Sequence, residues 1–366
     1  MQGIYLALFF LFWSLFNHPV YSLSYEEAVK LALANNKNIK AKLALLPVAE
    51  AEMIIAKYRP NPSLASAHEL VRGGAIQPVQ IALPIEIGKK RFYRKELAKK
   101  EIEKTKLEIE KEIWQTQIEL RGLYSKSLVS KELVKLFKEK QKKLKRLSGE
   151  ENNNQIELLV NANLIDEYEI SLNSVNLSLK ELLNVDIDQN LNLEDDLKDL
   201  VTKYKQKLNQ INSLETIVDK RFDTLILEQE LGIQSSLIKS YKAQRIPDLV
   251  LETGVSHPSL GDPFWGMYLG GGFEIPIFDR KQGEIKKAEA QLDLVKLEKA
   301  SLRSHIGFEI KKAIFNFKTR EKQLARFNKL LDLSSADSSF QEEYLKAKLD
   351  MWLAVQELEF ALGVVL

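Results

Sequence analysis

His68 and His257 fall in or beside two short strand-like stretches, and by side-chain type they are the first candidates for metal ligands. They do not amount to a site. The 366 residues hold four histidines, one of them His18 near the N-terminus, and no cysteine. Ligand spacing for a dedicated metal centre is therefore missing. The lack of cysteine also excludes disulfides, thiol catalysis and iron–sulfur clusters, and it predicts that the chain is not a lipoprotein. Gly270-Gly271-Gly272 resembles a phosphate loop only by composition. It lies in a strand pattern with no helix opening behind it, which points to close packing or strand curvature. His305 stands in a charged helical stretch and is expected to face water. No Ser/His/Asp set, metal-ligand spacing or carboxylate pair is placed for catalysis, so neither an enzyme nor a cofactor is expected.

The elements around these residues are mostly helical. Charged residues make up 28% and hydrophobic residues 45%, with only 16 glycines and 10 prolines, the composition of a helix-rich chain. A net charge of +2 gives no reason to expect a nucleic-acid partner. Lys and Glu alternate at helical spacing, as on solvated, ion-paired faces. The run "GIYLALFFLFWSLF" leads to Val20 and Ser22 at the −3 and −1 positions of a cleavage site, so residues 1–22 are expected to be a signal peptide. No Lys or Arg precedes that run, and an N-terminal membrane anchor is the competing reading. The rest contains no apolar run of about 18 residues, so an exported chain of this kind crosses a membrane only with strands.

A two-fold programme is visible along the chain. In the first repeat, residues 23–184, Ser24 and Glu27 form a capping box. Helices follow to Tyr58, with a kink expected at Pro47. A hairpin over about 62–87 turns at Gly73-Gly74, and its second strand puts Val79, Ile81, Leu83 and Ile85 on one face and Gln80 and Ala82 on the other. A helix over about 89–147 carries an apolar seam of Ile102, Ile109, Ile113, Leu120, Leu128, Leu136 and Leu144. It would be roughly 90 Å long and must pack along other long helices. A polar turn and a return helix over about 156–183 complete the repeat. Residues 185–205 read as a linker. The second repeat, residues 206–366, has a helix over about 214–242, a hairpin over about 247–278, a long helix over about 282–344 and a short return helix. Trp265, Met267, Leu269 and Phe273 take the apolar face of its hairpin, and Tyr268 and Glu274 the other.

Two isolated hairpins leave four open strand edges. Strands of about nine to eleven residues with one apolar face are long enough to cross an outer membrane. Four cannot close a barrel, so several chains would have to share one, and three would supply twelve strands.

At this point the chain resembles the TolC family of outer-membrane efflux channels. "LSYEEAVKLALANNKNIKAKLA" is similar to the family's mature N-terminus, "RPNPSL" and "RIPDLVLETG" to its strand entries, and "LPIEIGKKR" and "IPIFDRKQGEI" to its strand exits. "LKELLNVDIDQNLNLEDDL" resembles its mid-chain hinge. The motif "QPVQIALPIEIGKKR", with its very short preceding loop, is most similar to the heavy-metal (CzcC-like) branch.

The resemblance implies a mainly α fold with internal duplication. Its long coiled-coil helices would form an α-barrel, and its two β-hairpins would give four strands to a trimeric twelve-stranded transmembrane barrel. It also implies a homotrimer touching outer-membrane lipid, a periplasmic adaptor, and an inner-membrane RND or ABC transporter that supplies the energy. Gln80, Glu252, Tyr268 and Glu274 would line the lumen, and Pro84, Gly88 and Pro276 would form the strand–helix corners. Trp265 and Tyr268 would serve either an interfacial aromatic girdle or packing. Gly149, Tyr344, Ala347 and Asp350 would sit near the periplasmic tips that contact the adaptor.

Three departures stand out. The family's Tyr-x-x-Gly reads Tyr344 to Ala347, the positions of its acidic ring hold Leu353 and Gln356, and the last helix stops short of its counterpart in the first repeat. The acidic gate is therefore not carried over, and Asp350, one turn earlier, is the candidate substitute. The function expected is the outer-membrane duct of a tripartite RND-type pump for heavy-metal cations or other small toxic compounds. A type I secretion duct is one alternative, and a periplasmic coiled-coil adaptor or structural protein is another.

Overall fold

The computed structural model describes residues 21–67, 69–71, 74–147, 152–194, 214–258, 265–331 and 338–363. Its helices are α1 (Tyr25–Asn35), α2 (Lys37–Leu43), α3 (Leu45–Lys57), α4 (Lys90–Leu147), α5 (Asn152–Leu183), α6 (Leu214–Lys220), α7 (Phe222–Gln244), α8 (Gln282–Leu331) and α9 (Ser338–Leu362). The strands are β1 (Tyr21–Leu23), β2 (Ser63–Ser66), β3 (Glu69–Val71), β4 (Gly74–Ile85), β5 (Leu191–Leu193), β6 (Leu249–Pro258) and β7 (Gly266–Phe273).

The chain divides into two compact units. One comprises Met1–Leu43, Ile109–Thr224 and Leu302–Leu366, and the other Ala44–Glu108 and Leu225–Ser301. The first is helical. Leu120, Tyr124, Leu128, Val129, Leu133 and Phe137 of α4 pack with Leu179 and Leu183 of α5, Ala28 and Ala32 of α1, and Trp352 and Val355 of α9. Of the expected α4 seam, Ile109, Leu120 and Leu128 are buried. Ser24 accepts from the Glu27 amide and Glu27 answers through the Ser24 amide, the capping box that starts α1. β1 pairs in parallel with β5, and the Tyr124 hydroxyl donates to the Leu23 carbonyl at 2.8 Å. Tyr21 and Ser22, which the expected cleavage would remove, are the first two residues of β1.

The same unit buries charge. Arg121 of α4 pairs with Glu359 of α9, their side chains only 4% and 0% exposed. Arg121 also donates to the Tyr25 hydroxyl at 3.2 Å. Arg221, between α6 and α7, reaches Asp223 at 2.9 Å, Glu309 at 2.6 Å and the Ala361 carbonyl at 3.2 Å. It thus satisfies a carbonyl at the C-terminal end of α9.

The second unit holds the sheet, in the order β2-β4-β6-β7 with β3 also on β4. Here the barrel expectation fails. The two hairpins join through β4 and β6, paired from Ile76↔Pro258 to Ile85↔Leu249. That junction consumes the two inner edges and leaves an open sheet, with β2 and β3 along one border and β7 along the other. So few strands cannot curl far enough for the borders to meet. Among the described residues no helix is long and apolar enough to cross a membrane. The first strand of the first hairpin is also broken in two, as β2 and β3.

Some boundaries differ from expectation. The long helix expected over 282–344 ends at Leu331, and α9 begins at Ser338. The helix expected to run unbroken from 214 divides at Arg221, whose side chain is drawn to Glu309 and the Ala361 carbonyl.

Candidate functional site

Directly paired residues on neighbouring strands share a face. Val79, Ile81, Leu83 and Ile85 of β4 lie opposite Val255, Thr253, Leu251 and Leu249 of β6, which in turn face Met267, Leu269, Gly271 and Phe273 of β7. These rows form one apolar face, and it is uncovered. Met267 is 83% and Leu269 84% exposed, and Val79, Ile81, Leu83 and Ile85 range from 38% to 49%. A contiguous exposed patch of this kind marks a surface for lipid or protein.

The opposite face carries Gln80, Ala82 and Pro84, then Glu252 and Gly254, then Tyr268 and Gly270. Gln80, Gly254 and Tyr268 share one row, and the Tyr268 hydroxyl donates to Gln80 Oε1 at 2.5 Å. The middle residue must be glycine. A Cβ there would stand 2.6 Å from Tyr268 Cε1 and equally close to the Val79 carbonyl oxygen. Glu252 has Ala82 and Gly270 as row neighbours. Glu274 falls one residue past the end of β7, so it does not belong to this face as a strand residue. The glycine triplet lies in β7, and a Cβ on Gly272 would meet nothing within 4 Å, so close packing is not what requires it.

The corner residues separate into kinds. Pro84 lies inside β4, past the last ladder residue of β2, where a missing N–H breaks no bond to that strand. Pro276 follows β7 by three residues. Gly88 has φ +73°, and a Cβ there would meet Ile246 Cδ1 at 2.7 Å. Next to it, Lys89 has φ 62°, and Lys281, just ahead of α8, has φ 55°.

These exits are tied down by charge. Asp248 accepts from the Ile87 amide at 3.0 Å and pairs with Lys90 at 2.8 Å. Arg94 pairs with Glu86 and donates to the Tyr58 carbonyl at 3.1 Å. Lys281 pairs with Asp279 at 2.6 Å and Glu284 at 3.1 Å.

Of the expected tip residues, Gly149 lies outside the described residues. Tyr344, Ala347 and Asp350 are within α9, so they belong to the return helix. Asp350 pairs with Arg320 at 2.8 Å, which neutralises the substitute acid. Gln356, at one position of the family's acidic ring, instead donates to the Ile118 carbonyl at 3.1 Å and lies against Gly122. His68 also lies outside the described residues, whereas His257 is in β6 opposite Gln77. His305 is 69% exposed and 3.1 Å from Glu309. Among the described residues no group of His, Asp and Glu is placed to hold a metal.

Sequence reasoning missed the Arg121–Glu359 pair, because the partners sit on helices far apart in the chain and neither has a local signature. It also did not group the arginines that stand at the junctions between strand and helix, Arg59, Arg91, Arg245 and Arg280.

No protein-family model matches the chain, and no curated protein matches it. Solved structures do. A membrane protein from Pseudomonas aeruginosa is 16% identical with a TM-score of 0.73, over 93% of this chain and 90% of that one. The open state of the MtrE outer-membrane channel of Neisseria gonorrhoeae is 12% identical with a TM-score of 0.73, over 93% and 89%. CusC, whose structures concern folding and transmembrane channel formation, is 13% identical with a TM-score of 0.70, over 94% of each chain. At these identities the shared property is the fold, which is that of the outer-membrane channel proteins just named.

Proposed function

We propose that the chain is a passive outer-membrane channel of a Gram-negative-type cell, working as a homotrimer with its helical part in the periplasm. The observation that carries this reading is the uncovered apolar face of the sheet, with Met267 and Leu269 more than four-fifths exposed. A sheet held in water would not keep such a face open, whereas lipid covers it at no cost. The opposite face, with Gln80, Glu252 and Tyr268, lines the water-filled passage, and Glu274 stands at its end. The duct does no covalent chemistry. A periplasmic adaptor docks near Gly149, Tyr344, Ala347 and Asp350, and an inner-membrane RND or ABC transporter drives the cargo.

Heavy-metal cations are the cargo we favour, on the similarity of "LPIEIGKKR" to the metal-efflux branch. Fractionation followed by sizing in detergent tests the channel reading, and a trimer extracted from the outer membrane is the expected result. Recovery of the chain as a soluble monomer from a periplasmic extract would overturn it in favour of a coiled-coil adaptor or spacer. Growth of a deletion strain on graded Zn, Co, Cd, Cu and Ag salts tests the cargo. Unchanged tolerance to all five would sink the metal assignment and leave protein secretion as the alternative.

A further inference from the structure

Every place where a strand meets a helix in the sheet-bearing unit carries an arginine. Arg59 precedes β2, Arg91 follows β4, Arg245 precedes β6 and Arg280 follows β7. Both hairpins enter and leave by the same end, as the pairings Ser63↔Ala82, Ile85↔Leu249 and Leu249↔Phe273 require. All four arginines therefore border the same end of the apolar face.

Three neighbouring cations are already neutralised: Lys90 by Asp248, Arg94 by Glu86, and Lys281 by Asp279 and Glu284. Among the described residues the four junction arginines form no ion pair with a carboxylate. Arg245 Nε instead donates to the Arg280 carbonyl at 2.9 Å, which holds two of the junctions together. At the other two, Arg59 and Arg91 line one cavity of about 350 Å³ together with Leu83, Pro84 and Ile85. The Glu86 side chain in its wall is held by Arg94. Arg91 Nε is buried and has no hydrogen-bond partner. Part of the cavity lining is thus arginine, and part is Leu83 and Ile85 from the end of the apolar face.

A ligand that satisfies both parts has an anionic head and a hydrocarbon tail. Guanidinium binds phosphate through paired N–H donors, and its charge is not hydrated as tightly as an ammonium. Anionic headgroups attract unpaired basic residues at the membrane surface. We propose that the four-arginine row is a seat for anionic phospholipid, with one phosphate headgroup in the Arg59–Arg91 cavity and its acyl chains along Leu83 and Ile85. The proposal rests on the reading that the apolar face meets lipid.

The test uses the full chain purified in detergent, titrated with dioctanoyl-phosphatidylglycerol, dioctanoyl-phosphatidylcholine or inorganic phosphate, with retained ligand counted by native mass spectrometry. Phosphatidylglycerol should bind in preference to phosphatidylcholine, and the Arg59→Gln/Arg91→Gln double variant should weaken that binding about tenfold. The Arg59→Lys/Arg91→Lys variant, which keeps the charge and loses the paired donors, should fall between. Thermal unfolding in detergent selects the variants that remain folded. Should the glutamine pair fail to fold, the lysine pair alone decides.

Equal binding of the two lipids, undiminished binding by the folded variants, or competition by inorganic phosphate at the lipid's own concentration would overturn the proposal. A wild-type chain found in the outer membrane without any preference for phosphatidylglycerol overturns this inference alone. A wild-type chain soluble without detergent overturns the membrane reading as well.

Discussion

The Tyr268 hydroxyl donates to Gln80 Oε1 at 2.5 Å from two strands away, with its ring laid across Gly254. Three strands of two hairpins are thereby linked through one side chain, at the level where the hairpins join.

Removing the hydroxyl with Tyr268→Phe should cost about 1 kcal/mol, the net worth of one such bond. Gly254→Ala should cost more, about 2 kcal/mol, because the new methyl meets both the ring and a strand carbonyl. Combining Gly254→Ala with Tyr268→Ala should recover part of that loss. Thermal unfolding of the detergent-solubilised variants measures all three, and a Gly254→Ala chain as stable as wild type would show that the ring does not lie there.

The buried pair between α4 and α9 leads to a second expectation. Arg121 and Glu359 are almost wholly withdrawn from water, so losing one partner strands the other. Glu359→Ala should destabilise the helical unit by about 3–5 kcal/mol, whereas the double replacement Arg121→Met/Glu359→Leu should restore most of it. Urea unfolding followed by far-UV circular dichroism would show the difference, and equal losses in single and double variants would argue against pairing.

Two adjacent residues at the first strand exit should respond in opposite directions. Gly88→Ala forces a side chain into a left-handed backbone and against Ile246, at a cost of about 2 kcal/mol. Lys89 already occupies that region with φ 62°, and Lys89→Gly should relieve about 1 kcal/mol of strain. The readout is the melting temperature of each, and a fall for both would mean that the turn is not built this way.

Asp223 should govern part of the acid response. Burial pushes its carboxyl up, but the hydrogen bond and charge of Lys111, at 2.5 Å, together with Arg221 more than offset this and hold it below the usual range. Above about pH 5 the group is ionised in both the folded and the unfolded chain, and its pairing contributes in full. As pH falls below that, the unfolded chain takes up the proton first, so stability drops until the folded carboxyl also protonates. Asp223→Asn should therefore be less stable than wild type at pH 7 and should lose less between pH 5 and pH 2. Parallel acid-unfolding profiles would refute this.

Much of the fold is legible in short-range pattern. Alternation of Val79, Ile81, Leu83 and Ile85 marks β4 and its apolar face, because a period of two has one structural meaning there. Pro47 announces a break, which falls at Ala44, between α2 and α3; proline has no N–H to offer the carbonyl four residues back. What pattern cannot carry is partnership between distant segments. The joining of the hairpins through β4 and β6 depends on registry across more than 160 residues, and nothing local distinguishes it from separate hairpins. The break at Arg221 has the same origin, since the groups that draw it lie on α8 and α9. Of the site, face membership was readable for Gln80, Glu252 and Tyr268. The pairing of Asp350 with Arg320 and the packing of Gln356 against Gly122 were not.

Lys89 and Lys281 stand one residue ahead of the two longest helices, and both hold a left-handed backbone although neither is glycine. The surrounding residues, "IGKKR" and "DRKQG", have little else in common. What the two halves of the chain share at this joint is therefore a bend and not a motif. The acids that pair there differ, Asp248 with Lys90 and Asp279 with Lys281, while a left-handed residue stands at the start of each helix.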